Sequence, residues 1–112
     1  MTDQQRPGLL VVQMEVPADF EAELNAWYWE EHVPERLACP GFRSARRFKL
    51  TASNRDGMPS YLALYELDDI SALETPEYRH ATGAGATERT REVGRHATIT
   101  RSEFVELPSP EA

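Results

Sequence analysis

The chain has 112 residues, 40% of them hydrophobic and 28% charged, which is the size and make-up of one domain with one core. This excludes a full dinucleotide-binding dehydrogenase and a barrel of the triosephosphate isomerase type. Twelve Lys and Arg stand against 19 Asp and Glu, a formal charge of -7. That balance argues against nucleic acid or an anionic membrane as partner, because phosphate contacts need a positive field.

We expect one domain over 1–112, ordered over about 8–107, with frayed termini. The apolar run Leu9-Leu10-Val11-Val12 is too short for an export core or a membrane span, so the expected location is cytoplasmic. Gly8 to Val16 reads as a strand, rich in β-branched residues and ended by Pro17. Asp19 is either an N-cap or part of a first turn opened by Ala18. A helix follows from about Asp19 to Leu37. Its projection puts Phe20, Leu24, Trp27 and Glu31 in one stripe, with Tyr28 and His32 on the shoulder and Arg36 away from it. Pro34 removes a backbone donor inside this segment and predicts a kink or new turn near His32 to Pro34.

Pro40-Gly41 is a turn signal, and Phe42 to Leu50 reads as the second strand. Strict alternation puts Phe42, Ser44, Arg46 and Phe48 on one face and Arg43, Ala45, Arg47 and Lys49 on the other. The basic residues are thereby divided between faces, which suits solvation or dimer salt bridges better than nucleic acid. Residues 51–59 form a polar loop with hairpin chemistry at Asn54-Arg-Asp-Gly57. Ser60 to Leu67 carries apolar residues on both faces, as a central strand does. A second helical region starts at Asp68-Asp69 and is broken by Pro76 and by Gly83-Ala-Gly85, which reads as a hinge. Thr87 to Arg95 is a better helix, and His96 to Leu107 is the last strand.

The order β-α-β-β-α-β gives, with right-handed crossovers, an α+β ferredoxin-like fold: a four-stranded antiparallel sheet with its helices on one face. The other face carries large apolar residues that a soluble monomer rarely exposes, and a homodimer through the sheet faces is the simplest remedy.

The segments Trp27-Tyr-Trp-Glu-Glu-His32-Val-Pro-Glu-Arg36-Leu, Pro40-Gly-Phe42, Arg46-Arg-Phe48 and Tyr61-Leu-Ala-Leu-Tyr-Glu-Leu67 carry a resemblance. Over about Leu9 to Leu107 the chain resembles the dimeric α+β barrel superfamily, and within it the EthD-like and related small stand-alone proteins. The resemblance implies two subunits packed sheet against sheet, each with a pocket between its sheet and its helices. It implies that His32 faces that pocket. It also implies activities such as cofactor-free monooxygenases, muconolactone isomerases and polyketide cyclases, beside members of unassigned role.

His32 is the first candidate catalytic residue, since an imidazole accepts and returns a proton near neutral pH. Tyr28, one turn earlier, is placed to hold a developing enolate. The competing reading has His32 capping the Pro34 kink or bonding a backbone carbonyl. Glu31 is either buried on the apolar stripe with Arg46 or Arg47 as partner, or rotated to solvent by the kink. Trp27, Glu31, Tyr65 and His80 are the candidate ligand-binding residues; His96 reads as a surface or capping residue. The three histidines share no short spacing, so no metal is expected, and no cofactor motif is present. The lone Cys39 excludes an intrachain disulfide and reads as a small packing residue. The expected function is proton transfer on an apolar aromatic or polyketide-like molecule, by a cofactor-independent cyclase, isomerase or monooxygenase. The alternative is a non-catalytic small-molecule-binding or stress-type protein with the same pocket.

Overall fold

The structure is a computed structural model that describes residues 5–110. The expectation for the outermost residues, 1–4 and 111–112, lies outside it. Four strands, β1 (Gly8–Glu15), β2 (Phe42–Lys49), β3 (Tyr61–Leu67) and β4 (Thr98–Val105), form one antiparallel sheet in the order β2-β3-β1-β4. The helices are α1 (Glu21–Trp27), α2 (Val33–Leu37), α3 (Pro76–Thr82) and α4 (Glu88–His96). This is the ferredoxin-like α+β arrangement expected from the element order.

The core lies between the helices and one face of the sheet. Leu10, Val12 and Met14 of β1 and Tyr61, Ala63, Tyr65 and Leu67 of β3 meet Leu24, Trp27, Tyr28, Val33 and Val93 there. The opposite face carries Leu9 and Val11 of β1, Leu62 and Leu64 of β3, and Phe48 and Phe104 of the edge strands, by the pairings Leu9↔Phe104, Val11↔Leu64 and Phe48↔Leu62. Phe48 and Phe104 are exposed, and among the described residues no helix covers this side.

Three local departures from the sequence reading have physical causes. First, of the two readings of Asp19 the N-cap fails and the first turn opened by Ala18 is what forms. Ala18–Phe20 is a short 3₁₀ turn that follows Pro17, and the first α-helical hydrogen bonds form after it. Second, β2 has a bulge at Arg43: Phe42 pairs with Leu67 but Ser44 with Glu66. The extra residue turns Phe42 onto the helix-covered face together with Ala45 and Arg47, so strict alternation fails at its first step. Arg43 is freed to bond Asp68, its Nε donating to Oδ1 at 2.8 Å.

Third, the segment before Pro34 widens instead of simply kinking. Tyr28–His32 is a π turn, in which the Val33 N–H donates to the Tyr28 carbonyl five residues back. Pro34 then sits as the second residue of α2, where its missing N–H is tolerated. The extra residue shifts the helical phase. The inward positions become Leu24, Trp27/Tyr28, His32 and Arg36, while Leu37 turns outward. Arg36 was expected on the polar side and is 6% exposed.

The turn signal at Pro40-Gly41 marks a real constraint. Gly41 has φ 87°, and a Cβ there would lie 2.7 Å from the Ala72 Cβ. Gly41→Ala is therefore expected to destabilise the fold by about 1–3 kcal/mol, read from urea unfolding. A variant as stable as the parent would show that this turn tolerates rearrangement. The later helical segments are capped by side chains. The side chains of Asp69, Thr75 and Thr87 accept from the N–H groups of Ser71, Tyr78 and Thr90 and start the 3₁₀ turn Ile70–Glu74, α3 and α4 respectively. Near the start of the described chain, Arg6 is held at the sheet end, its N–H donating to Asp69 and its carbonyl accepting from Ile70 N–H at 2.9 Å.

Candidate functional site

A cavity of about 300 Å³ opens between the sheet and the helices. Its apolar wall comes from Leu10, Val12 and Met14 of β1, Trp27 of α1 and Val93 of α4. Its polar atoms come from His32, Arg36, Tyr65, Tyr78, Thr90 and Arg101. Few polar groups on a mostly apolar concave surface is the usual character of a small-molecule site.

His32 is held by rings. It stacks on Trp27 (centroids 4.3 Å apart, planes 25°), meets Tyr28 edge-to-face at 5.1 Å and faces Tyr65 at 6.3 Å. Its Nδ1 is buried and has no hydrogen-bond partner among the described residues. The capping alternative for this residue therefore lacks its hydrogen bond at Nδ1. Burial pushes the imidazole down to about 3, and the guanidinium charges of Arg36 and Arg47 push in the same direction. The ring is neutral at physiological pH.

Arg36 projects from α2 over the Tyr78 ring, 5.6 Å from its centroid, and its Nη1 is likewise buried and unpartnered among the described residues. The Tyr65 hydroxyl is buried as well, with the Tyr28 phenol as its polar neighbour. Burial raises the Tyr65 phenol well above its ordinary value, and the neighbouring Tyr28 adds to this. On the β4 side of the cavity, Arg101 donates to the Tyr78 hydroxyl at 2.8 Å and to Glu103 at 2.6 Å.

Of the residues proposed from sequence, His32, Trp27 and Tyr65 line this cavity and Tyr28, Glu31 and His80 do not. Tyr28 lies behind His32. Its hydroxyl donates to Met14 Sδ at 3.8 Å, and the Arg47 guanidinium covers its ring at 4.1 Å. Glu31 follows neither alternative read from the sequence. It is half-buried at the start of α4, where the hydroxyls of Thr87 and Thr90 donate to its carboxylate at 2.9 and 3.2 Å. A carboxylate there also meets the positive end of the helix. Its partners are thus hydroxyls, and neither Arg46 nor Arg47. His80 is exposed on α3 and packs against Gly85, where a Cβ would come within 2.6 Å of the imidazole. His96 stacks on Phe20 at 4.2 Å. Cys39 is buried and donates to the Glu35 carbonyl at 3.5 Å.

The residues missed by the sequence reading are Arg36, Tyr78, Thr90 and Arg101. For Arg36 a signal existed: Tyr28, His32 and Arg36 recur every four residues, the spacing a widened turn keeps in phase. Tyr78 and Arg101 come from elements whose approach to α2 only the folded chain reveals. Among the described residues no group of three His, Cys, Asp or Glu side chains is placed to hold a metal, and no helix is long and apolar enough to cross a membrane.

Sheet order and the cavity beneath the helices define a ferredoxin-like α+β protein of the kind seen in several solved structures. A dimeric ferredoxin-like protein from an uncultured marine organism aligns with a TM-score of 0.68 at 14% identity, covering 94% of this chain and 99% of that one. An EthD-family protein from Bacillus halodurans C-125 aligns at 0.58 and 19% identity, covering 86% and 96%. The N63A mutant of SnoaB, a cofactor-independent oxygenase from Streptomyces nogalater, aligns at 0.60 and 17% identity, covering 96% and 99%. At these identities the likeness concerns the fold. The chain belongs to the DUF4286 family, a domain of unknown function, which it matches over residues 8–105. No curated protein matches it.

Proposed function

We propose that the protein is a homodimeric, cofactor-independent enzyme that moves a proton on a small apolar molecule held in this cavity. The observation that carries the reading is an apolar chamber lined by His32, Arg36 and Tyr65, of which His32 and Arg36 each keep a buried side-chain nitrogen without a partner among the described residues. Buried polar atoms are almost always satisfied, and each exception calls for an explanation such as a catalytic role. SnoaB, similar in fold, is described as a cofactor-independent oxygenase, which adds to the same reading.

In the step we propose, the neutral imidazole of His32 takes a proton from a carbon next to a carbonyl. The C–H electron pair moves onto the carbonyl oxygen, and the resulting enolate accepts a hydrogen bond from the Tyr65 hydroxyl. The imidazolium then returns the proton, to the same carbon or another. An imidazole pushed this far down is a weak base in the empty cavity. The guanidinium charges contribute to that depression. A negative charge growing on the substrate opposes them and raises the basicity as the transition state forms. Tyr28, expected to hold the enolate, keeps a positioning role: it packs on the imidazole edge and fixes its plane.

The test is exchange of solvent deuterium into 2-tetralone, an aromatic ketone with acidic α-protons, followed by NMR. The wild-type protein is expected to accelerate exchange by about 10²-fold or more over buffer, and His32→Phe to lose that acceleration. Binding of 2-tetralone without accelerated exchange would discard the enzyme reading and leave the small-molecule-binding alternative.

The homodimer is the second part of the proposal. The uncovered sheet face is apolar at its centre, at Val11 and Leu64, and a solved neighbour is described as dimeric. Sedimentation equilibrium should give twice the chain mass for the wild type and the chain mass for Leu64→Glu. A monomeric wild type at micromolar concentration would end this part of the proposal.

A further inference from the structure

The cavity holds one charge with no counter-charge. Arg36 is 94% buried, being 6% exposed, and no carboxylate lies within ion-pair distance of it among the described residues. Glu35 acts on it only at longer range. The second cation of the wall, Arg101, is already engaged by Glu103 and by the Tyr78 hydroxyl. Arg47 lies outside the lining, over the Tyr28 ring. A buried guanidinium without an acceptor is costly, and its planar donors match a carboxylate better than any other common group. Around it the wall is apolar, built by Leu10, Val12, Met14, Trp27 and Val93.

We infer that the ligand of this cavity is an apolar, ring-bearing carboxylate, its anionic oxygen on the Arg36 guanidinium and its hydrocarbon body against Trp27, Leu10 and Val93. The inference rests on the reading of the cavity as a ligand site and adds the class of molecule. A single guanidinium in an apolar chamber of about 300 Å³ fits a monoanion of one or two rings. A phosphate ester would bring a second charge with no cation free to meet it. With the carboxylate on Arg36, the Tyr65 hydroxyl remains for a neighbouring carbonyl.

The experiment compares 2-naphthoate with its neutral isostere 2-naphthamide by isothermal titration on the full chain at pH 7. Wild-type protein is expected to bind the carboxylate about 10- to 100-fold more tightly than the amide. Arg36→Met should remove that preference while the amide still binds, and amide binding itself certifies that the variant cavity is folded. Arg36→Lys should keep part of the preference, since it keeps the charge and loses the fork. Equal affinity of the two probes in the wild type overturns this inference and leaves the cavity reading intact, as does a preference that survives Arg36→Met. Failure of both probes to bind overturns the two together.

Discussion

Acid should weaken this protein through one residue. Relative to His32→Phe, the unfolding free energy of the wild type is expected to fall by about 1.4 kcal/mol for each pH unit below 6.5. The unfolded imidazole takes its proton near the ordinary value of 6.5, whereas the folded one does so only at about 3. Between those values the unfolded chain binds more protons, so acidification pulls the equilibrium towards unfolding. The stability that depends on the neutral ring is complete above pH 6.5 and is lost as pH falls towards 3. The whole window is worth about 4–5 kcal/mol, of the order of a small domain's entire stability. Urea unfolding of both proteins from pH 4 to 8 measures the difference directly. Carboxylates titrate in both proteins and largely cancel in that comparison. Parallel curves for the two would mean that His32 is solvated and free to charge.

Removing the charge at Arg36 should have the opposite effect. Arg36→Met is expected to raise stability at pH 7 by about 1–3 kcal/mol, because a long apolar side chain replaces a buried cation that has no carboxylate partner. The same change relieves part of the pressure on His32, whose pKa should rise, since Arg36 is the larger of the two charges that depress it. Thermal unfolding reports the first effect and proton NMR of the imidazole reports the second. A gain in stability coupled to loss of carboxylate preference is the pattern of a residue retained for function. A stability loss of more than about 1 kcal/mol would instead give Arg36 a packing role, with the Tyr78 ring as the contact it supports.

The fold was legible because its signals are local and repeated. Val11, Val12 and Val16, the Pro40-Gly41 turn, and the apolar alternation of Tyr61, Ala63, Tyr65 and Leu67 each fix an element without reference to the rest. The site was legible only in part. His32, Trp27 and Tyr65 were found because bulky or titratable side chains at inward positions attract notice in any projection. Arg36 was lost because one widened turn moves every later residue by about 100° around the axis. Phe42 was lost for the strand version of the same reason, since a bulge at Arg43 reverses its side. Glu31 was read as a cavity residue because its partners, Thr87 and Thr90, lie on α4 far along the chain. One-residue insertions and partners distant in sequence leave no periodic trace.

The hydrogen-bond chain between the first and last helices bears on motion. Trp27 Nε1 donates to Thr90 Oγ1 at 3.1 Å, and Thr90 and Thr87 both donate to Glu31. These bonds tie Thr90 of α4 to Trp27 and Glu31 across the cavity, so any separation of α4 from α1 would break them together. Each opening then releases the Trp27 indole proton to solvent. The rate at which that single proton exchanges is a built-in clock for the breathing of the chamber.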